Sequence, residues 1–226
     1  MKLPALMLSC LFLAAPTANA MEPDQLFKQI APSVWLVRTF DSGSVPTGSG
    51  SAVVVEPRRL ITNCHVLSKA ASFVLVKDKL SFKGKLEYVD LERDLCMVSV
   101  TDEKFDAPPV KRINAQSLVV GQRVVTLGNP RALEMTLSDG LISRLQYDDD
   151  QKIEAIQTSA PFSPGSSGGG LFDLEGRLLG ITQRVAVGTG MQNLNFALPA
   201  EWLDDLPARS KEQLDAWYAS QRKPSR

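Results

Sequence analysis

Short apolar runs set the rhythm of this chain. Val34-Trp35-Leu36-Val37, Ala52-Val53-Val54-Val55, Phe73-Val74-Leu75-Val76, Leu95 to Val100, Val124-Val125-Thr126-Leu127, Ile153 to Thr158 and Leu178 to Thr182 recur along most of its length, each bounded by Gly, Pro, Asp or Asn. Runs of this length between turn-forming residues predict strands, and many in succession predict an all-β barrel or sandwich. Helical spacing is confined to the ends, in a short segment from Asp24 to Ala31 and a tail from Ala200 to Ser220 that Pro207 breaks. A polar, proline-containing stretch, Thr101 to Ser117, interrupts the strand pattern and predicts a connector between two β-lobes.

The first twenty residues stand outside this pattern. Lys2, the apolar run Leu3 to Ala15 and Ala18-Asn19-Ala20 have the charge, core and small-residue site of a secretory signal peptide cleaved after Ala20. The run is too short to span a bilayer, so no membrane span is expected. The remaining 206 residues, Met21 to Arg226, form an exported, periplasmic or secreted chain long enough for one large domain or two small lobes.

Charge and composition remove several function classes. Of the 25 Lys and Arg residues one, Lys2, lies in the leader, which leaves 24 basic against 25 acidic side chains and no dense basic block. Nucleic-acid binding, driven by clustered Lys and Arg that release counter-ions, is therefore not expected. The chain has a single histidine, His65, and only Cys64 and Cys96 remain beyond the leader, so neither a His-rich metal site nor a four-ligand zinc pattern is present.

The candidate chemistry starts in "SPGSSGGGLF", Ser163 to Phe172. It follows the strand-like "IEAIQTS" and runs into "LFDLEGRLLGI", which reads as a hairpin turning at Glu175-Gly176, so a flexible linker is a poor fit. Gly165-Ser166-Ser167-Gly168-Gly169 fits a nucleophile turn, where glycines let backbone N–H groups converge on a developing oxyanion. A serine hydroxyl needs a base within reach and a carboxylate to orient that base. His65, in "LITNCHVL", follows a strand and enters a short helix. Asp94, in "VDLERDLCMVSV", stands at the entrance of a strongly apolar strand, an awkward position for a carboxylate unless something binds it. The order His65, Asp94, Ser167 is that of the chymotrypsin-type triad.

At this point the sequence resembles the trypsin-like serine proteases, in particular the bacterial HtrA/Deg type. "TGSGSAVVVEPRRLITNCHVL" is similar to that family's glycine-led hairpin ending in Thr-Asn-x-His-Val, and "RDLCMVSV" to its Asp-Leu-Ala strand. "VVTLGNPRALEMTLSDGLISR" is similar to its Gly-Asn-Pro hairpin, "IQTSAPFSPGSSGGGLF" to its nucleophile segment, and "NLNFALPAEWL" to its closing strand and helix. The resemblance, over about Leu26 to Leu203, implies two six-stranded antiparallel β-barrels, residues 21–110 and 111–200, with the site between them and a helical tail over 201–226. It implies that Ser167 attacks, His65 shuttles the proton and Asp94 fixes the imidazole tautomer, with Gly165, Ser166 and Ser167 forming the oxyanion hole and no cofactor required. Thr182, Gln183 and Arg184 would pair with an extended polypeptide substrate as an added strand, while Ser159 and Ser163 are bystanders.

The departures from the family carry their own expectations. Ser166, just before the nucleophile, bears no charge, so activation by a freed amino terminus pairing there is not expected. Pro161 occupies the position of trypsin's specificity carboxylate, and with Phe162 narrowing the pocket this implies small or aliphatic P1 residues. Cys64 abuts the base and Cys96 lies two residues past the acid, leaving a disulfide and two buried thiols as alternatives. Only about 25 residues follow the protease-like region, so the family's usual PDZ domain is not expected. Leu203, Leu206, Leu214, Trp217 and Tyr218 give the tail a helical apolar face, expected to pack on its own barrel. Oligomeric state stays open, and a catalytically silent peptide-binding module is the alternative function.

Overall fold

Every apolar run named above lies within a strand of the structure, a computed structural model that describes residues 21–130, 135–185, 194–211, 213, 214 and 217. Residues 1–20, expected from sequence to be a leader, and Tyr218 lie outside the described residues. The first six strands are β1 (Val34–Phe40), β2 (Pro46–Glu56), β3 (Arg59–Thr62), β4 (Ser72–Lys77), β5 (Leu80–Asp90) and β6 (Leu95–Val100). They close into an antiparallel barrel in the order β1-β2-β3-β6-β5-β4. β7 (Arg123–Gly128), β8 (Thr136–Tyr147), β9 (Ile153–Thr158), β10 (Gly170–Phe172), β11 (Leu178–Val185) and β12 (Asn195–Pro199) close a second in the order β10-β11-β12-β9-β8-β7. This is the two-barrel fold that the resemblance implied.

Five strands carried no continuous apolar run, and two of them show why. Along β5, Phe82, Leu86 and Val89 are buried while the residues between face outward or are half-covered. Along β8 only Ile142 and Leu145 are buried, because most of that long strand lies on the surface.

Each barrel has its own filling, and a further apolar cluster joins them. Trp35, Val37, Leu75, Phe82 and Val98 fill the first, and Val124, Ile142, Ile156 and Leu179 the second. Val53, Ile61, Leu95 and Met97 of the first meet Val125, Leu127, Phe172 and Ile181 of the second. Helix α1 (Pro23–Ile30) adds Leu26 and Ile30 to this joint, both about 1% exposed, and each such burial stabilises by about 2 kcal/mol. Pro23 opens α1, where its missing N–H costs nothing. The joint fixes the two barrels against each other, which matters because the candidate site draws on both.

The connector is anchored rather than free. Phe105, 3% exposed, packs at a tilt 4.8 Å from Trp35 and edge-on, 5.2 Å, to Phe82.

One expectation about the tail needs correction. Pro207 does not break a helix but stands in the first turn of α3 (Leu206–Ser210), where proline is favoured, and the interruption falls just before it, after a 3-10 turn at Ala200–Leu203. The tail packs on the chain's own barrels and reaches both. Leu203 and Leu206 join the cluster between the barrels, while Leu214 and the buried Trp217 pack against the filling of the first. Among the described residues no helix is long and apolar enough to cross a membrane.

Candidate active site

β3 delivers His65 to the site. Its last residue, Thr62, is followed by Asn63 and the single-turn helix α2 (Cys64–Leu67), which leaves the imidazole side chain half exposed. Asp94 ends the turn between β5 and β6 with a φ of +58°, a left-handed conformation that Asp tolerates better than most residues. Non-glycine residues hold such a conformation only where their surroundings impose it. Here the Asp94 carbonyl accepts from Cys64 N–H (3.2 Å) and Asn63 Nδ2 (3.1 Å). Its Oδ1 accepts from His65 N–H at 2.8 Å, and its Oδ2 lies 2.7 Å from His65 Nδ1. Because a carboxylate only accepts, the proton of the neutral ring sits on Nδ1 and Nε2 is left bare as a base.

The structure also pairs Cys64 with Cys96, S–S 2.06 Å, so the disulfide holds among the two alternatives. It ties the start of α2 to β6, and thus the segments carrying His65 and Asp94, across a sequence separation of 32. Closing a loop of that size removes about 3 to 4 kcal/mol of freedom from the unfolded chain. Replacing both cysteines by serine is expected to lower the urea midpoint by about 1 to 2 M, and an unchanged midpoint would contradict it.

The nucleophile turn is held from both barrels. Gly165 and Gly168 have φ of +96° and +84°. At Gly168 a side chain would also meet the Ser51 carbonyl and the Thr62 hydroxyl, so two constraints select glycine there. Ser51, fully buried on β2, donates its N–H to the Ser167 carbonyl (2.7 Å) and its hydroxyl to the Gly165 carbonyl (3.0 Å). From β11, Thr182 donates N–H to Gly169 O (2.9 Å), accepts Gly168 N–H (2.8 Å) and bonds Ser166 O through its hydroxyl (2.6 Å). Among the described residues the N–H groups of Gly165 and Ser167 donate to no protein acceptor.

Gln183 links the acid to the serine. The register of β11 slips against β12 between Thr182 and Arg184, a bulge that leaves Gln183 unpaired with β12. Its Nε2 donates to Asp94 Oδ2 (3.2 Å), and its carbonyl accepts the Ser167 hydroxyl (3.1 Å). Among the described residues no hydrogen bond joins the Ser167 hydroxyl to His65, because the hydroxyl proton goes to the Gln183 carbonyl. A cavity of about 240 Å³ opens beside the turn, lined among others by Thr126, Gly128, Pro161, Phe162 and Ser166, with no charged residue among the described ones.

A family model described as the trypsin-like peptidase domain matches residues 50–181, which contain Ser51, His65, Asp94 and the nucleophile turn and end within β11, just before Thr182 and Gln183. The chain belongs to the trypsin-like peptidases. Among the relatives of this peptidase is Protease Do-like 1, chloroplastic, of Arabidopsis thaliana, 31% identical over 195 residues, 78% of this chain and 44% of that protein. A probable periplasmic serine endoprotease, DegP-like, of Hahella chejuensis is 32% identical over 170 residues, 74% of this chain and 36% of that one. The chain thus spans less than half the length of these curated relatives. Among solved structures, the HtrA-type protease AlgW with tripeptide superposes with a TM-score of 0.73 at 25% identity, over 83% of this chain and 63% of that one. Deg5 does so with a TM-score of 0.66 at 28% identity, over 82% of this chain and 94% of that one.

Within this peptidase the structure gathers His65, Asp94, Gln183 and Ser167, with Pro161 and Phe162 at the adjoining cavity. Thr182, expected to pair with substrate, has its N–H and carbonyl engaged by the nucleophile turn, so the backbone edge open to another chain begins at Gln183. Arg184 continues β11 opposite Phe196. Two roles escaped the sequence: the brace at Ser51 and the bond from the Gln183 side chain to Asp94. Ser51 sits in a Gly/Ser-rich hairpin with nothing local to set it apart, and Gln183 is aimed by a bulge that no single-strand pattern reveals.

Proposed function

We propose that this trypsin-like peptidase is a serine endopeptidase that cleaves exported or misfolded polypeptides through an acyl-enzyme on Ser167. The observation that carries the reading is the short bond between His65 Nδ1 and Asp94 Oδ2, joined through Gln183 to the Ser167 hydroxyl. In this reading Nε2 of His65 takes the Ser167 proton as Oγ attacks the scissile carbonyl, and then returns it to the leaving amine. Asp94 accepts from Nδ1–H throughout and stabilises the imidazolium. The N–H groups of Gly165 and Ser167 bind the oxyanion, which explains why a turn so firmly braced leaves those two donors uncommitted.

The hydroxyl's bond to Gln183 describes a resting enzyme. An extended substrate laid along β11 brings its P1 N–H to the Gln183 carbonyl, competes with Ser167 for that acceptor and frees the hydroxyl to turn toward His65. The same resting bond is what a catalytically silent peptide-binding module would display, and covalent labelling separates the two.

The cavity beside Ser166 is the P1 pocket in this reading. Without a carboxylate among its described residues, a Lys or Arg side chain would lose several kcal/mol on burial. Digestion of a peptide library is expected to favour small or aliphatic P1 residues, and a profile dominated by Arg or Lys would reject the assignment. The mature chain is expected to hydrolyse denatured protein without further trimming, since Ser166 offers no charge for an amino terminus to pair with. The names of the relatives, periplasmic and chloroplastic, support export of this chain as well.

A further inference from the structure

The turn that presents Asp94 is gripped from outside the site by the C-terminal segment. Each of the five residues from Val89 to Arg93 bonds to residues 205–213: Val89 N–H to Ser210 Oγ (2.7 Å), Leu91 N–H to Gln213 Oε1 (2.7 Å), and Arg93 Nη1 to Asp205 Oδ1 (2.7 Å). Arg209 takes the other two, donating Nε to Asp90 Oδ2 and Nη2 to Glu92 Oε2 (2.7 Å). Asp90 is fully buried, and it turns back to accept Arg93 N–H on Oδ1 (3.2 Å), the last bond before Asp94.

We propose that the C-terminal segment is a latch on the catalytic acid, with Arg209 as its positioning residue acting on Asp94 through the Val89–Arg93 turn; this rests on the serine endopeptidase reading. On its β6 side Asp94 is tethered by the nearby Cys64–Cys96 disulfide. On its β5 side the pairing with β6 ends at Asp90 opposite Leu95, and over Leu91 to Arg93 the latch adds the bonds from Gln213, Arg209 and Asp205. Asp94 stands in a left-handed conformation, less favourable for a non-glycine residue than the right-handed or extended ones, and in this proposal the latch helps to hold it there. Releasing the preceding turn lets the backbone relax, and the carboxylate swings off Nδ1. Burial opposes ionisation of Asp90, yet the Arg209 guanidinium and the Arg93 N–H outweigh it and hold its pKa below the ordinary value. The pair is thus charged on both sides at neutral pH, and loss of Arg209 would leave the buried Asp90 carboxylate only the longer ion pair to Arg93, Nε to Oδ2 at 3.9 Å.

His65 is the only histidine of the chain, so one low-field Nδ1–H proton resonance reports its bond to Asp94 without any turnover. The test compares the mature chain, residues 21–226, with Arg209→Ala, Arg209→Lys and the double variant Ser210→Ala/Gln213→Ala. It reads the rate of fluorophosphonate labelling across pH, the low-field resonance and the thermal midpoint. Arg209→Ala is expected to label at least tenfold more slowly at neutral pH, with a displaced pH profile and a weakened resonance, and Arg209→Lys to recover part of both. If Arg209→Ala does not fold, the double variant, which keeps the ion pair, is expected to move the same two readouts in the same direction. Folded variants that match the parent in rate, pH profile and resonance overturn the latch. A parent that shows the resonance but is not labelled at Ser167 overturns the endopeptidase reading instead, and the latch is then judged by the resonance alone: its loss in the variants supports it, its persistence rejects it.

Discussion

Ser167→Ala is expected to lower peptide hydrolysis by about a millionfold in kcat while leaving the fold intact. Both halves follow from what the residue touches. Its hydroxyl makes one bond, to the Gln183 carbonyl, whereas its place in the turn is fixed by its own carbonyl accepting from Ser51 N–H. Alanine keeps the second and loses the first, at a cost of about 1 kcal/mol. Steady-state hydrolysis of a denatured protein alongside thermal unfolding measures the two effects separately. Residual cleavage close to that of the parent enzyme would place the nucleophile elsewhere, for example at Ser163 or Ser166 on the same loop.

Asp94→Asn is expected to reduce kcat by about 10⁴-fold with a small change in stability. Asp94 sits at a φ of +58°, which Asn accommodates as readily, so the backbone need not move. The loss arises at the side chain. Oδ1 and Oδ2 now receive donors from the His65 N–H, the His65 ring and the Gln183 amide. An amide offers one oxygen and one NH₂ to these three donors, so at least one N–H group faces another. The imidazole escapes the clash by placing its proton on Nε2, which is the wrong tautomer for a base. Kinetics at saturating substrate, paired with urea unfolding, check this, and a variant retaining a tenth of the parent kcat would show that Asp94 does not orient the ring.

How far such arguments reach from sequence alone depends on which interactions are local. The strands with continuous apolar runs, from Val34–Val37 to Leu178–Thr182, were legible because both faces or one long face are buried. β5 and β8 were not, because their exposed faces dilute the signal with Lys, Asp and Arg. The hairpin at Glu175-Gly176 was legible from its glycine, and the structure gives Gly176 a φ of +78°. The candidate triad residues could be named because one histidine and one Gly/Ser turn restrict the choice, and a carboxylate beside an apolar strand stands out. Their braces could not. Ser51 and Gly165, Gln183 and Asp94, Arg209 and Asp90 are separated by 114, 89 and 119 positions, and only the packing of the two barrels and of the tail brings them together. Pro207 is the opposite case: proline breaks a helix from its interior, but here it stands in the first turn, and only the position of the helix start tells the two apart.

The most direct measurement is covalent labelling of residues 21–226 with a fluorophosphonate, with the modified residue located by mass spectrometry. A serine hydroxyl bonded only to a backbone carbonyl is inert to such a reagent, so reaction requires the imidazole to take its proton. One label on Ser167, abolished in Ser167→Ala and in His65→Ala, is the expected result. Labelling that persists without either side chain, or a folded parent that takes up no label under conditions where denatured protein is cleaved, would contradict it.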